Sequence, residues 1–356
     1  MNKDSMFFIG VDLGDKYSYL AILDQEGELI EEARLPSTPG AFQRKFSHLD
    51  PCRVALEVGS HSRWSSQVIQ QLGHEVLVAN ARKLRAIYTN PRKSDRADAE
   101  TLARLARVDP ALLAPIRHRS PQAQADLAVV RARDVLVRSR TSLINHVRGT
   151  LKTAGVRPPS CSAANFGRRV ADLVPADLDS TLQPVLEMIA TLSHQIRQYD
   201  TEIERLGRET YPETQPLRAV SGVGALTALT FVLTLEDPRR FAKSRQVGPA
   251  LGLVPRRDQS GEHEPQLRIT KNGDAYLRQL LVNCAHYILG PFGPDCDLRR
   301  WGLKLAERGG KNAKKRAVIA VARKLAILLH HLWRSGETYD PCFQSEPSSQ
   351  AQPAPG

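Results

Sequence analysis

The chain has 356 residues, a length that predicts two or three domains, and its 41% hydrophobic and 25% charged residues are typical of a soluble globular protein. No stretch is apolar for long enough to span a bilayer, so no membrane span is expected, and the amino terminus lacks the long apolar core of a secretory signal, so a cytoplasmic protein is expected. Lysine and arginine outnumber aspartate and glutamate by 50 to 38, a net charge of +12 that favours a polyanionic partner, nucleic acid first. The five cysteines are scattered without CxxC spacing, which predicts free thiols.

The first predicted element is a β-hairpin over residues 7–23, in which two apolar runs flank a turn at Gly14. Asp12 stands where the first run ends. A carboxylate at the end of a buried strand lies at the rim of a sheet, where a ligand can reach it. An aspartate shortly before a glycine is equally ordinary turn chemistry, so Asp12 alone does not define a site.

The strand predicted over residues 53–58 repeats this arrangement, because it is apolar, carries Glu57 near its end and is followed by Gly59. Before it come a predicted strand over residues 28–34 and a short helix; after it come a helix and a strand over residues 75–79. Hairpin strands followed by alternating helix and strand predict an α/β fold with a sheet of mixed direction. Two strands then bring one carboxylate each to the same end of the sheet.

Asp95 and Asp98 lie three residues apart at the start of a strongly helical run, so their side chains leave one face of its first turn. Asp95 could instead cap the helix, although capping explains one aspartate better than two. Four clustered carboxylates, counting Asp12 and Glu57, repel one another unless a cation lies among them, and oxygen ligands suit Mg²⁺ or Mn²⁺. Nearby basic residues are predicted to hold phosphates: Arg82, Lys83, Arg92, Lys93 and Arg96.

The order of these acids resembles the RuvC-like branch of the RNase H-like fold, in which such a metal site holds the oxygens of a phosphodiester. The opening residues IGVDLG also resemble the first phosphate loop of sugar kinases and actin-like ATPases. Those proteins need a second glycine-rich phosphate loop, and the sequence offers no convincing one.

Residues 121–212 are predicted to form a long helical, coiled-coil arm. Its first helix is basic and ends before Pro158, and its second carries a heptad seam. The seam can pack against the first helix or pair with another subunit, and the sequence leaves both open. The seam consists of Leu182, Val185, Ile189, Leu192, Ile196, Tyr199, Ile203 and Leu206.

A mainly α C-terminal domain is predicted over residues 213–340, followed by a Ser-, Gln- and Pro-rich tail, 341–356, that should be disordered. Gly222 and Gly224 lie between two helical segments, a helix-hairpin-helix-like turn that can offer backbone N–H groups to a DNA phosphate. A tight turn without a ligand is nearly as common. Further candidates for phosphate contact are Arg256, Arg257, Arg268, Lys271, Lys314 and Lys315.

Ser260 lies in the loop after Pro255, and composition alone makes it an ordinary turn serine. Over residues 7–336, however, the chain resembles the IS110/IS1111 family of insertion-sequence transposases. The family's DEDD pattern corresponds to Asp12 in IGVD, Glu57 in ALEVG and the two aspartates of KSDRADA. Its C-terminal motifs correspond to SGVG, GLVPRRDQSG and ITKNGDAYLRQLL.

The resemblance implies a RuvC-like domain over residues 1–120, the arm, and a C-terminal transposase domain. It implies that the acidic tetrad binds Mg²⁺ and that Ser260 attacks DNA, giving a covalent phosphoserine from which strands are exchanged and resealed without ATP. It also implies donor and target DNA, a noncoding guide RNA that pairs with both, and a bacterial, nucleoid-associated protein. Dimers would pair into a tetramer on DNA, with tetrad and serine supplied by different subunits.

Two other functions are compatible with these residues. A plain RuvC-like metal nuclease would continue to cleave after Ser260→Ala and would fail after replacement of Asp12 or Asp98. A non-catalytic nucleic-acid-binding protein would be indifferent to all of these changes.

Overall fold

The structure is a computed structural model, and it describes residues 6–81, 84, 94–257, 267–310 and 312–343. The chain divides into two compact units, Met1–Arg119 and Ser120–Gly356. In the described residues, no helix combines the length and the apolar character that crossing a bilayer requires. All five cysteines are free thiols, which confirms the prediction from their spacing.

Within the described residues of the first unit, five strands form one mixed sheet. They are β1 (Phe8–Asp12), β2 (Tyr17–Leu23), β3 (Leu29–Pro36), β4 (Arg53–Glu57) and β5 (Glu75–Ala79). Their order across the sheet is β3-β2-β1-β4-β5. β1 pairs antiparallel with β2 and parallel with β4, and β4 pairs parallel with β5, so the predicted hairpin and mixed direction are confirmed.

Helices cover both faces of this sheet: α1 (Pro39–Phe46), α2 (Ser62–Gln71) and α3 (Asp95–Val108). Phe42 of α1 and Ile69 of α2 share a buried cluster with Ile9 and Val54 on one face. On the opposite face, α3 packs its Leu102 and Ala106 with Ala55 of β4. This alternation along the strands follows from the period of two in a β-strand.

In the second unit the described helices are α4 (Pro121–Thr153), α5 (Phe166–Val170), α6 (Ala176–Glu209), α7 (Thr214–Leu217), α8 (Ala225–Leu235), α9 (Val247–Ala250), α10 (Ala275–Leu289), α11 (Asp297–Glu307) and α12 (Ala313–Ser335). The main core joins α8, α10 and α12 through Phe231, Leu281 and Leu325. A second cluster joins the start of α4 to α8 and α10, so the base of the arm and the C-terminal helices share buried side chains.

α4 and α6 pack antiparallel within one chain. The start of α4 meets the end of α6, as in the cluster of Val130 with Ile203, and the end of α4 meets the start of α6, as in the cluster of Ile144 with Leu182. Of the two arrangements that the sequence left open, packing of the α6 seam against α4 of the same chain is therefore present.

The buried seam of α6 differs from the predicted one at alternate positions. Leu186 and Ser193 are buried, whereas the predicted Val185, Leu192 and Tyr199 are only half-buried. Polar contacts from α4 reach two positions of this helix. On α4, Arg140 donates a hydrogen bond to Ser193 at 3.2 Å and Arg133 forms an ion pair with Asp200. A prediction that counts only apolar residues misses such positions.

The predicted disordered tail begins in an ordered segment. The backbone N–H of Asp297 donates to the carbonyl of Pro341 at 2.8 Å, which holds this residue at the start of α11. Residues 344–356 of the predicted tail lie outside the described residues.

Candidate active site and nucleic-acid interface

Asp12 and Glu57 end two neighbouring parallel strands. The register pairs Gly10 with Ala55 and Val11 with Leu56, so the two acids stand one step further along both strands. Their backbones are then about 4.8 Å apart. Since Val11 and Leu56 point into the α1–α2 core, the acids point to the face that α3 covers. Both side chains are half-buried.

Gly10 brings α3 to the same corner. A Cβ at Gly10 would lie 1.8 Å from the carbonyl oxygen of Ala99, so only glycine allows the helix backbone to approach β1 this closely. One turn later, Ala103 packs on Phe8, so α3 runs antiparallel to β1. The preceding turn, with Asp98, therefore extends toward the end of β1 at which Asp12 stands.

The two aspartates of α3 differ in environment. Asp98 is 7% exposed, whereas Asp95 is exposed. Ser94, and not Asp95, caps the helix, because its Oγ accepts a hydrogen bond from the N–H of Ala97 at 3.2 Å. The capping alternative for Asp95 is thus wrong, and both carboxylates remain candidates for chemistry.

The donor set at this corner consists of carboxylate oxygens. Across the described residues, no three His, Cys, Asp or Glu side chains are arranged to hold a metal ion together. Mg²⁺ is typically bound by one or two protein carboxylates plus water and substrate phosphate, and the paired ends of β1 and β4 offer two. Asp12 and Glu57 therefore suit Mg²⁺ whose remaining ligands are water and a substrate phosphate. In the described residues, the side chains do not form a closed site of four protein ligands.

His61 adds an imidazole close after Glu57, at the start of α2. Its Nε2 lies 3.6 Å from Asp15 Oδ1, and its Nδ1 accepts a hydrogen bond from Trp64 Nε1 at 3.0 Å. Because Nδ1 accepts, the neutral ring carries its proton on Nε2. Nothing in the sequence pattern predicts this residue, since the serine-rich run around it indicates only a helix start.

Arg96 and Lys93 were predicted to hold phosphates beside these acids. Arg96 is exposed and lies 3.7 Å from Glu32, an exposed ion pair of little energetic weight. Lys93 lies outside the described residues, as do Arg82, Lys83 and Arg92.

In the second unit, the loop that carries Ser260 is closed at its base by a short antiparallel ladder. Arg256 N–H donates to the carbonyl of Arg268 at 2.9 Å, and the N–H of Thr270 donates to the carbonyl of Val254 at 2.9 Å. Residues 258–266, with Ser260 among them, lie outside the described residues. The ladder places the exposed side chains of Arg256 and Arg268 on neighbouring strands, and Arg257 is exposed beside them.

Two glycines make the ladder possible. A Cβ at Gly252 would lie 2.2 Å from Asn272 N, and a Cβ at Gly273 would lie 2.1 Å from the carbonyl oxygen of Ala250. The backbones on the two sides of the loop are therefore in direct contact. Between them, Lys271 adopts a φ of 57° and is exposed. A non-glycine residue in this region is uncommon and marks a tightly determined turn.

The turn at Gly222 and Gly224 joins α7 to α8, as the sequence predicted. Gly222 has a φ of +83°, a backbone conformation that residues with a Cβ rarely adopt. Gly224 precedes the first turn of α8, where no acidic residue stands and no side chain accepts from the backbone. The free N–H groups of such a turn attract anions.

Lys314 and Lys315 occupy the first turn of α12 and are exposed. Positive side chains at the positive end of a helix dipole are unfavourable unless an anion approaches. That turn contains no acidic residue, and Asn312 makes no side-chain cap. The arrangement suits a phosphate better than bare solvent.

Residues 9–155 match the DEDD Tnp IS110 family, described as a transposase, and residues 214–294 match the family described as Transposase IS116/IS110/IS902. The first interval contains the four predicted acids, and the second contains the Gly222–Gly224 turn and Ser260.

Curated relatives are similar along most of the chain. A probable family 20 transposase of Pseudomonas aeruginosa is 29% identical over 94% of this chain and 98% of its own length. The transposase for insertion sequence element IS1111A of Coxiella burnetii is 29% identical over 93% of this chain and 90% of its own. The transposase for insertion sequence element IS1328 of Yersinia enterocolitica is 30% identical over 78% of this chain and 82% of its own.

Proposed function

Because the chain belongs to the IS110/IS1111 family of insertion-sequence transposases, we propose that it cuts and rejoins DNA through a covalent phosphoserine. The observation that carries the proposal is the acid corner of the first unit, where β1 and β4 end beside the first turn of α3. Asp12 and Glu57 end adjacent strands on one face, and the Gly10–Ala99 contact directs the first turn of α3 toward them.

We propose that Asp12, Glu57, Asp95 and Asp98 hold Mg²⁺ or Mn²⁺ together with a DNA phosphate. When bound, the ion would neutralise charge on the phosphate oxygens. The carboxylates themselves orient the site. Strand register fixes the backbones of Asp12 and Glu57, and Asp98 is buried on α3, so these side chains would need only local rotation to meet a scissile phosphate and the ion.

Ser260 is the proposed nucleophile. Its Oγ forms a bond to phosphorus and releases the hydroxyl proton to solvent, while the bond from phosphorus to the leaving strand oxygen breaks and that oxygen takes up a proton from solvent. A second strand's hydroxyl reverses these steps and releases the serine. Arg256 and Arg268, which the loop base places side by side, would stabilise the negative charge of the transferring phosphate.

The proposed partners are donor and target DNA, a noncoding guide RNA and further copies of the chain. Sequence is then read by base pairing, and the protein holds backbone phosphates through Gly222, Gly224, Lys271, Lys314 and Lys315. We further propose that coiled-coil contacts of the α4–α6 arm bring the acids of one subunit to Ser260 of another, as dimers join into a tetramer on DNA.

A gel assay for a covalent protein–DNA adduct tests this function. Wild-type protein with Mg²⁺ should give an adduct, EDTA should prevent it, and Ser260→Ala should abolish it while DNA binding persists. Ser142→Ala, at an exposed position of α4, is the matched control and should retain the adduct. Cleavage that survives Ser260→Ala without any adduct would instead identify a metal nuclease, and no cleavage under any condition would leave only nucleic-acid binding.

A further inference from the structure

A cleft in the second unit lies between the Gly222–Gly224 turn and one face of α10. Its volume is about 510 Å³, within the range of roughly 300–1,000 Å³ in which proteins hold small ligands. The residues that matter for its chemistry are Ser221, Gly222, Gly224, Leu280, Asn283 and Tyr287.

Tyr287 forms one wall of the cleft. Its ring is packed against the turn, since a Cβ at Gly222 would come within 2.9 Å of the ring atom Cδ1. The side chain nevertheless keeps 47% of its surface exposed, which is high for a large aromatic residue on a helix that buries Ile288 and Cys284. The ring is therefore held in position and still accessible.

Asn283 stands one helical turn before Tyr287 and lines the same cleft. Residues four apart share a face of a helix, so the amide and the ring project together. The amide carries both donors and an acceptor and is exposed, and Leu280 adds an apolar surface one turn further back.

Flat aromatic surface beside an amide matches the chemistry of a nucleobase, which has two apolar faces and a polar edge. Stacking on tyrosine is a common way in which proteins hold unpaired bases, and asparagine can pair with a base edge. Gly224 leaves room for the strand: no atom lies within 4 Å of a Cβ built there. Arg218 at the rim is already paired with Glu204 at 2.8 Å.

We propose that this cleft binds one unstacked nucleotide of a nucleic-acid strand, with its base on the ring of Tyr287 and its edge facing Asn283. The inference rests on the proposed function, because an enzyme that opens and exchanges strands must hold bases outside a duplex. It adds a base-binding site to a protein whose other predicted contacts are all to phosphates.

Short single-stranded oligonucleotides with one 2-aminopurine, in DNA and RNA versions, test the site with the full chain. Wild-type protein should quench the fluorescence, and an abasic substitution at the same position should weaken binding. Tyr287→Ala should weaken single-strand binding roughly 5- to 100-fold and abolish quenching. Tyr287→Phe should retain both, because the stacking surface remains. Asn283→Leu should alter the preference among bases while quenching persists.

A second variant avoids the ring altogether. Gly224→Leu should fill the cleft and weaken single-strand binding, because the added side chain has room and the φ of −89° suits it. Gly149→Leu is the matched control: Gly149 is exposed on α4, also has no atom within 4 Å of its Cβ position, and lies away from the cleft lining. Equal binding by Gly224→Leu and Gly149→Leu would contradict the proposal.

The controls separate this inference from the function on which it rests. Protein that binds duplex DNA but shows equal single-strand affinity with and without Tyr287, or with and without the base, would overturn the base site alone. Protein that binds neither duplex nor single strands would overturn both. Stronger quenching with DNA than with RNA, or the reverse, would identify the strand that occupies the cleft, and equal quenching would support a cleft that does not distinguish the sugar.

Discussion

The acid corner of the first unit and the loop base of the second unit reach candidate sites by different means. Asp12 and Glu57 are placed by the register of two parallel strands, so their proximity follows from counting residues. Arg256 and Arg268 lie on adjacent backbone segments because Gly252 and Gly273 let the two sides of the loop come into contact. The strand acids are fixed by regular hydrogen bonding, whereas the loop base, like the approach of α3 at Gly10, depends on close contacts at glycine.

Substitutions at the two kinds of contact should therefore have different effects. At the acid corner, the backbone is held by the sheet core, so a changed side chain should affect chemistry and leave the fold intact. Where a contact depends on glycine, even one added carbon should affect the fold.

Glu57→Gln should lower DNA strand cleavage more than about a hundredfold, since even indirect partners of a metal ion typically contribute 10- to 100-fold. Glu75→Gln is the control. The Glu75→Gln substitution removes the same charge from the adjacent strand β5. Glu75, however, lies at the opposite end of the sheet, where it pairs with Arg53 at 2.8 Å. Cleavage and thermal unfolding measured together should show loss of activity only in Glu57→Gln. Similar activities in the two variants would contradict a role for Glu57.

Gly10→Ala should destabilise the first unit by about 3 kcal/mol, at the upper end of the usual cost of overpacking, because the new carbon would meet the Ala99 backbone at 1.8 Å. Gly40→Ala in α1 is the matched control, since its Cβ would meet only a flexible arginine atom at 3.6 Å. Urea unfolding of both variants measures the difference. A Gly10→Ala protein as stable as Gly40→Ala would mean that α3 does not cross β1 this closely.

The sequence predicts the regular half of this structure well. Four of the five strands follow from short apolar runs, the mostly exposed β3 follows from its place after the hairpin turn, and Asp12 and Glu57 follow from their positions at strand ends. Gly10 was not predictable as a contact, because its role depends on a helix that arrives more than 80 residues later. Nor was His61, whose partner Asp15 comes from the turn between β1 and β2.

The arm shows the same limit. Apolar spacing predicts that α6 has a seam, but it selects Leu192 where the structure buries Ser193, because the hydrogen bond from Arg140 makes a polar position acceptable there. Ser260 is the extreme case. No physical feature of its loop distinguishes it in the sequence, and its proposed role rests on the family resemblance.

A double substitution of Lys314 and Lys315 by Gln should weaken duplex DNA binding at all sequences and lower the slope of log affinity against log salt by about two, one for each lost phosphate contact. Arg205 and Arg208 on α6 are the control pair. Both are exposed but already pair with Glu202 and Glu209, so their replacement should change the slope little. Equal slopes for the two double variants would indicate that the α12 lysines only face solvent.

The smallest expected effect concerns the segment that precedes the loop base. His330 of α12 is fully buried, and its ring lies 2.8 Å from the carbonyl of Pro238 and 2.9 Å from Ser244 Oγ. A carbonyl only accepts, so Nε2 carries the proton and Nδ1 accepts from the serine hydroxyl. Burial lowers the pKa of His330, and the carbonyl offsets part of that effect.

Since this pKa is lower in the folded state, the unfolded chain binds the extra proton first as the pH falls through about 6.5. His330 should therefore cost stability below that pH, by about 1.4 kcal/mol for each unit by which its pKa is lowered, and nothing above it. Urea unfolding between pH 8 and pH 5 should show a shallower decline in His330→Gln than in wild type. His331→Gln should decline like wild type, because that neighbour is exposed and lies 3.1 Å from Glu337. Parallel declines in all three proteins would mean that the segment from Pro238 to Ser244 is not held by a neutral histidine.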